Sequence, residues 1–203
     1  DGGSLNGPFG FGNQVGKFAC EIVNNQIWSL MYVITLNSGK DILRTHYFRL
    51  TRLVAILVLP IAAITSASAK ELIVLTMGPQ WGPSAEFIAY YTPAFAIVCT
   101  ASIGSAFMYA RGEARSPLIL NLQLVLLRFA AVCTLPLFGW RPMIYLLSLG
   151  HVLNAISVFW FIERRYNWNI KEIVLWLFKP VLAASFCWIS MVYLLRRISP
   201  SLE

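Results

Sequence analysis

Six apolar runs, each close to the length that a helix needs to cross a bilayer, constrain this chain more than any other feature. They lie near residues 18–36, 53–69, 87–110, 117–137, 142–162 and 175–195. A hydrocarbon core of about 30 Å takes roughly 20 helical residues, because lipid offers no partner to a free backbone N–H or C=O. The sequence therefore predicts an all-α, polytopic membrane helix bundle of about six transmembrane helices, forming one domain over residues 1–203.

Composition and charge agree with a membrane protein. Of the 203 residues, 58% are hydrophobic and 12% are charged, whereas soluble domains carry about 25% charged residues. The loops 37–52, 111–116 and 163–174 hold nine Lys and Arg, and the opposite connections hold five. Since short basic loops stay cytoplasmic, the first span is expected to run from outside to inside.

The two ends of the sequence predict a piece of a longer chain. The first residue is Asp1 rather than Met, and no targeting pattern follows it. An even number of spans that starts outside also ends outside, which leaves Arg196 and Arg197 on the face that is usually poor in basic residues. Two snorkelling arginines at a natural terminus are the alternative.

Motifs for catalysis are missing. The sequence has no Walker-type phosphate loop, no HExxH, no CxxC and no GxSxG. Its four cysteines are widely spaced within apolar runs, as is typical of small buried side chains. We therefore expect no enzyme, no catalytic residue, no cofactor, no metal site and no nucleic-acid partner.

Polar residues inside the first span form one stripe. Glu21, Asn24, Asn25 and Trp28 follow i, i+3, i+4, i+7 spacing, so they share a helix face that lipid would not favour. Two interpretations stay open. The face is either the wall of a polar cavity, or Glu21 snorkels to the outer interface while the two amides bond neighbouring helices.

Arg128 is the most costly polar residue, because it lies twelve residues into the fourth predicted span. Charge at bilayer depth costs at least about 2.5 kcal/mol and normally faces a cavity or a partner. Asn121 lies one heptad earlier on the same face. Arg128 is predicted either to contact an anion or take part in coupling, or to bridge helices or form an internal pair, for which Glu21 is a candidate partner.

The fifth span carries a second polar stripe, with His151 and Asn154 as its main members. His151 is a candidate proton relay because histidine titrates near neutral pH, and a hydrogen-bonded packing role is the alternative. The full set predicted for a substrate or coupling cavity is Glu21, Asn24, Asn25, Asn121, Arg128, His151 and Asn154.

Three stretches resemble the polysaccharide flippases of the multidrug/oligosaccharidyl-lipid/polysaccharide exporter superfamily. Residues 70–83, KELIVLTMGPQWGP, are similar to the family's acidic residue, apolar run, Gly and Trp after a helix end. Residues 107–117, FMYARGEARSP, resemble its small-residue helix and basic turn with Gly. Residues 7–41 resemble the helix that opens the second half, although a proline often found near its inner end is absent.

This resemblance implies one lobe of a two-lobe transporter in the bacterial inner (plasma) membrane. The implied activity is alternating-access translocation of an undecaprenyl-pyrophosphate-linked oligosaccharide for lipopolysaccharide or exopolysaccharide biosynthesis. Its implied partners are that substrate, membrane lipid and a coupling ion, H⁺ or Na⁺. No ligand residue of the family maps onto a specific position of this sequence.

Other functions stay open at this point. One is a multidrug exporter of the same superfamily. Another is a membrane-embedded polysaccharide polymerase or acyltransferase, which would need a large outer loop or a paired intramembrane His and acid. A structural membrane subunit would have spans without polar stripes.

Overall fold

The computed structural model describes residues 6–37, 40–168 and 170–198. Within these ranges the chain is helical and contains no strand, which confirms the predicted all-α class. The helices are α1 (Asn6–Asn37), α2 (Lys40–Ala67), α3 (Ala69–Met77), α4 (Gly82–Ala110), α5 (Arg115–Cys133), α6 (Leu135–Phe138), α7 (Trp140–Tyr166) and α8 (Ile170–Ile198).

Five segments of the described chain are long and apolar enough to cross a membrane. They are Ile42–Ala67, Pro79–Ala110, Arg115–Phe138, Trp140–Tyr166 and Leu175–Arg197. Each overlaps one of the six spans predicted from the sequence, and four of the five contain the predicted span completely. The structure is that of a polytopic membrane helix bundle.

The remaining predicted span, residues 18–36, lies within α1 and is not among the five. With 32 residues α1 is long enough, but Lys17, Glu21 and the amides of Asn24 and Asn25 lower its mean hydropathy. By length and composition, the described residues therefore contain five candidate spans, where the sequence predicted six. Membrane crossing by α1 stays a prediction, favoured by its packing along the length of α4.

Helix α4 forms the centre of the bundle. It packs against α1, α2 and α7, while α5 packs against α7 and α8 against α2. Small residues allow this close approach: a Cβ added at Gly104 would lie 2.9 Å from Cγ1 of Val158 in α7. Within the described residues, α1 has no substantial packing contact with α5 or α7, from which we infer a groove between them above α4.

The three basic connections meet at one end of the bundle. Arg44 at the start of α2 binds both carboxylate oxygens of Glu172 in α8, at 2.8 and 2.7 Å. Arg165 at the end of α7 pairs with Glu113 in the turn after α4 at 3.3 Å. Trp168 packs against Tyr47 of α2, joining the same elements. We call this the basic end; by the charge rule it is the predicted cytoplasmic end.

Candidate functional site: a polar groove above helix α4

Four helices contribute side chains to the groove. We define the polar groove by Lys17 and Glu21 of α1, Tyr91 and Phe95 of α4, Arg128 of α5 and His151 of α7. The sequence stripes predicted Glu21, Arg128 and His151. The fold brings these three into one neighbourhood because α1 and α7 pack on α4 and α5 packs on α7.

Lys17 is the residue that the sequence interpretation missed. It was counted with the outer connections, but α1 begins earlier than the predicted span and places Lys17 on the same face as Glu21, one turn away. Its Nζ lies 5.9 Å from the ring centroid of Tyr91 and 5.6 Å from that of Phe95. Cation–π attraction to two rings holds the ammonium group over α4.

His151 lies beneath the groove on the α7 side and is fully buried. Its Nε2 lies 3.0 Å from the hydroxyl oxygen of Tyr91, and its ring stands edge-on to Tyr91 and Phe95. Its Nδ1 is buried and has no hydrogen-bond partner among the described residues. Tyr91 thus connects the histidine of α7 to the aromatic floor beneath Lys17.

Arg128 completes the groove from α5. It is half-buried, and its positive charge interacts electrostatically with Lys17, Tyr91 and His151. The pair with Glu21, which was one of the alternatives for Arg128, is absent from the described residues, because Arg128 takes part in none of their ion pairs. Glu21 is exposed, and its carboxylate attracts the Lys17 ammonium group electrostatically instead. Arg128 and Lys17 thus leave two positive charges beside one carboxylate.

The rest of the α1 stripe extends the groove toward the basic end. Asn24 accepts a hydrogen bond from Ser102 of α4 at 2.8 Å, which joins the two helices. The Asn25 side chain is exposed, and the backbone carbonyl of Asn25 accepts a hydrogen bond from the Ser29 hydroxyl. Of the two amides in the stripe, that of Asn24 therefore bonds α4 and that of Asn25 is exposed.

An aromatic strip lies beyond these amides. Trp28 stacks on Tyr32 with ring centroids 5.9 Å apart and lies 6.3 Å from the Tyr109 ring of α4. Asn121 of α5 approaches the Tyr109 hydroxyl at 3.4 Å, a long hydrogen bond. Asn121 therefore lies in the same groove as Arg128, about 10 Å away along α5.

Asn154 has a different position. It is buried between α7 and α5, where its amide donates to the Leu120 carbonyl at 2.8 Å. Its neighbours in the stripe are also bonded: Ser148 donates to the Tyr90 carbonyl, and Ser157 accepts from Gln123. The second stripe therefore joins helices along most of its length, and only His151 reaches the groove.

A comparison with known families finds one similarity, in the first part of the chain. Residues 7–86 match the family model described as polysaccharide biosynthesis protein. The match covers α1 to the start of α4, and so includes Lys17, Glu21, Asn24 and Asn25. No curated protein and no solved structure matches the chain.

Proposed function

We propose that this protein translocates an undecaprenyl-pyrophosphate-linked oligosaccharide across the bacterial inner membrane, as a transporter rather than an enzyme, in line with the similarity of residues 7–86 to the polysaccharide biosynthesis protein family. The observation that carries the proposal is the pair of cations, Lys17 and Arg128, in a groove of a membrane helix bundle. Neither takes part in an ion pair of the described residues. Charges at such depth are rare and normally mark a pathway for a substrate or ion.

The chemistry of the groove suits a pyrophosphate. A guanidinium binds two phosphate oxygens at once through its planar fork, and an ammonium adds a mobile point charge. Bound phosphates would neutralise two like charges that repel each other in the empty groove. A cationic drug would add to that repulsion, which favours the anionic substrate over a drug exporter's cationic cargo.

The part of the groove nearer the basic end suits sugars. Trp28, Tyr32 and Tyr109 offer ring faces, while Asn25 and Asn121 offer amide donors and acceptors. The lipid tail would stay in the bilayer, entering along the side where α1 and α5 do not meet. Alternating access would then require an opposing lobe that closes over this groove, with H⁺ or Na⁺ as the driving ion.

The test is the leaflet distribution of lipid-linked repeat units in cells that lack the gene. The proposal predicts that these units accumulate on the cytoplasmic leaflet, and that polymer outside the cell is lost. An unchanged distribution combined with shorter polymer would instead indicate a polymerase and refute the proposal.

A further inference from the structure

A second basic site lies outside the polar groove, where α2 and α8 pack together near the basic end. Two adjoining cavities share Arg52 and Trp176. One, of about 470 Å³, is lined by Arg49, Arg52, Leu53, Ile56, Leu57 and Trp176. The other, of about 220 Å³, is lined by Arg52, Leu175, Trp176 and Lys179.

Arg52 is held in place by an aromatic contact, but one of its hydrogen-bond donors has no acceptor. Its guanidinium lies 5.1 Å from the ring centroid of Trp176, and its Nε is buried with no acceptor among the described residues. A buried N–H without a partner costs about 1–3 kcal/mol, so an acceptor supplied from outside the chain would be favoured. Arg49 and Lys179 on either side add positive charge, so that acceptor should be an anion.

The part of the site that α2 contributes beyond Arg52 is apolar and exposed. Leu53, Ile56 and Leu57 of α2 are each more than two-fifths exposed, and Trp176 is 40% exposed. A cationic head above an exposed aliphatic wall matches a molecule with a phosphate and hydrocarbon chains. Basic pockets between transmembrane helices on the cytoplasmic side are typical binding sites for anionic lipid head groups.

We propose that this α2–α8 site binds an anionic phospholipid, with its phosphate on Arg52 and Lys179 and an acyl chain along Leu53, Ile56 and Leu57. The site uses none of the residues of the polar groove and does not depend on the proposed substrate. A lipid bound there would brace α2 against α8, beside the Arg44–Glu172 pair.

Lipid binding to the purified protein in detergent, measured by native mass spectrometry, tests the site. The probes are phosphatidylglycerol and phosphatidylcholine with the same acyl chains. We expect preferential binding of phosphatidylglycerol, which Arg52→Gln and Lys179→Gln each weaken about fivefold, the effect of one lost charge near a lipid surface. The matched control is Arg197→Gln, which removes the same charge from the other end of α8, where Arg197 stacks on Tyr193, and should leave binding within twofold.

Equal binding of the two lipids, or unchanged phosphatidylglycerol binding in both variants, would overturn the proposal. Displacement of phosphatidylglycerol by millimolar inorganic phosphate would reassign the site to free phosphate and also overturn it. Lys179 is exposed, so Lys179→Gln keeps the test valid if Arg52→Gln fails to fold.

Discussion

Replacing Arg128 with alanine should reduce translocation strongly while leaving the amount of inserted protein unchanged. Because Arg128 takes part in no ion pair of the described residues, its removal breaks no internal pair and relieves repulsion with Lys17. The free energy of unfolding should therefore change by less than about 1 kcal/mol. Hydrogen bonds from this side chain to a substrate phosphate would be worth about 1.5–3 kcal/mol, so translocation should fall roughly 10- to 150-fold.

The variant Arg128→Lys tests whether a positive charge at this position is sufficient or whether the planar guanidinium is required. Lysine keeps the positive charge but loses the planar fork that binds two oxygens, so this variant should also lose activity, though less than the alanine variant. Arg197→Ala is the control, because Arg197 lies on α8 at the other end from the basic connections. Activity is the ratio of lipid-linked repeat units on the two leaflets in a deletion strain that expresses each variant. Full activity of both Arg128 variants would refute the assignment.

Three further predictions concern the scaffold and are measured by thermal unfolding in detergent. Gly104→Ala should destabilise the protein by about 1–3 kcal/mol, because the added Cβ would lie 2.9 Å from Cγ1 of Val158; Gly82→Ala in the same helix meets no atom within 4 Å and should be neutral. Asn154→Ala should cost about 1 kcal/mol, the scale of a hydrogen bond between membrane helices, and an unchanged melting temperature would contradict the helix-joining role. Glu172→Gln should cost less than about 1 kcal/mol, because its ion pair with Arg44 is 45% exposed on both sides; a larger loss would show that this pair holds α8 on α2.

The fold class and most helix positions followed from the sequence, because hydrocarbon permits few structures and twenty apolar residues in a row are easily recognised. The helix breaks were equally readable. Gly78 has a φ of 92°, which favours glycine, and α3 ends immediately before it. The first span was less secure, since the same polar residues that make α1 a groove wall lower its hydropathy.

The composition of the groove was only partly predictable. Periodicity found Glu21, Arg128 and His151, since each is polar within an apolar run. It gave no information on which helices are neighbours, so it offered Glu21 as a candidate partner of Arg128 and grouped Asn154 with the cavity. Lys17 was assigned to a loop because the helix start was placed too late. Its spacing of four residues from Glu21 was the available signal, and extending the stripe backwards by one turn would have included it.

The most direct test of the central claim asks whether the face of α1 that bears Glu21 is open to water within the membrane. Glu21→Cys is compared with Phe186→Cys on α8, whose side chain is 72% exposed in the bundle, both in a protein whose Cys133 and Cys187 are replaced by alanine. The reagent is a charged methanethiosulfonate, which reacts with thiolates in water far faster than with thiols in hydrocarbon. Rapid modification at position 21 and none at position 186 is the predicted result, whereas an equally unreactive pair would contradict a polar groove.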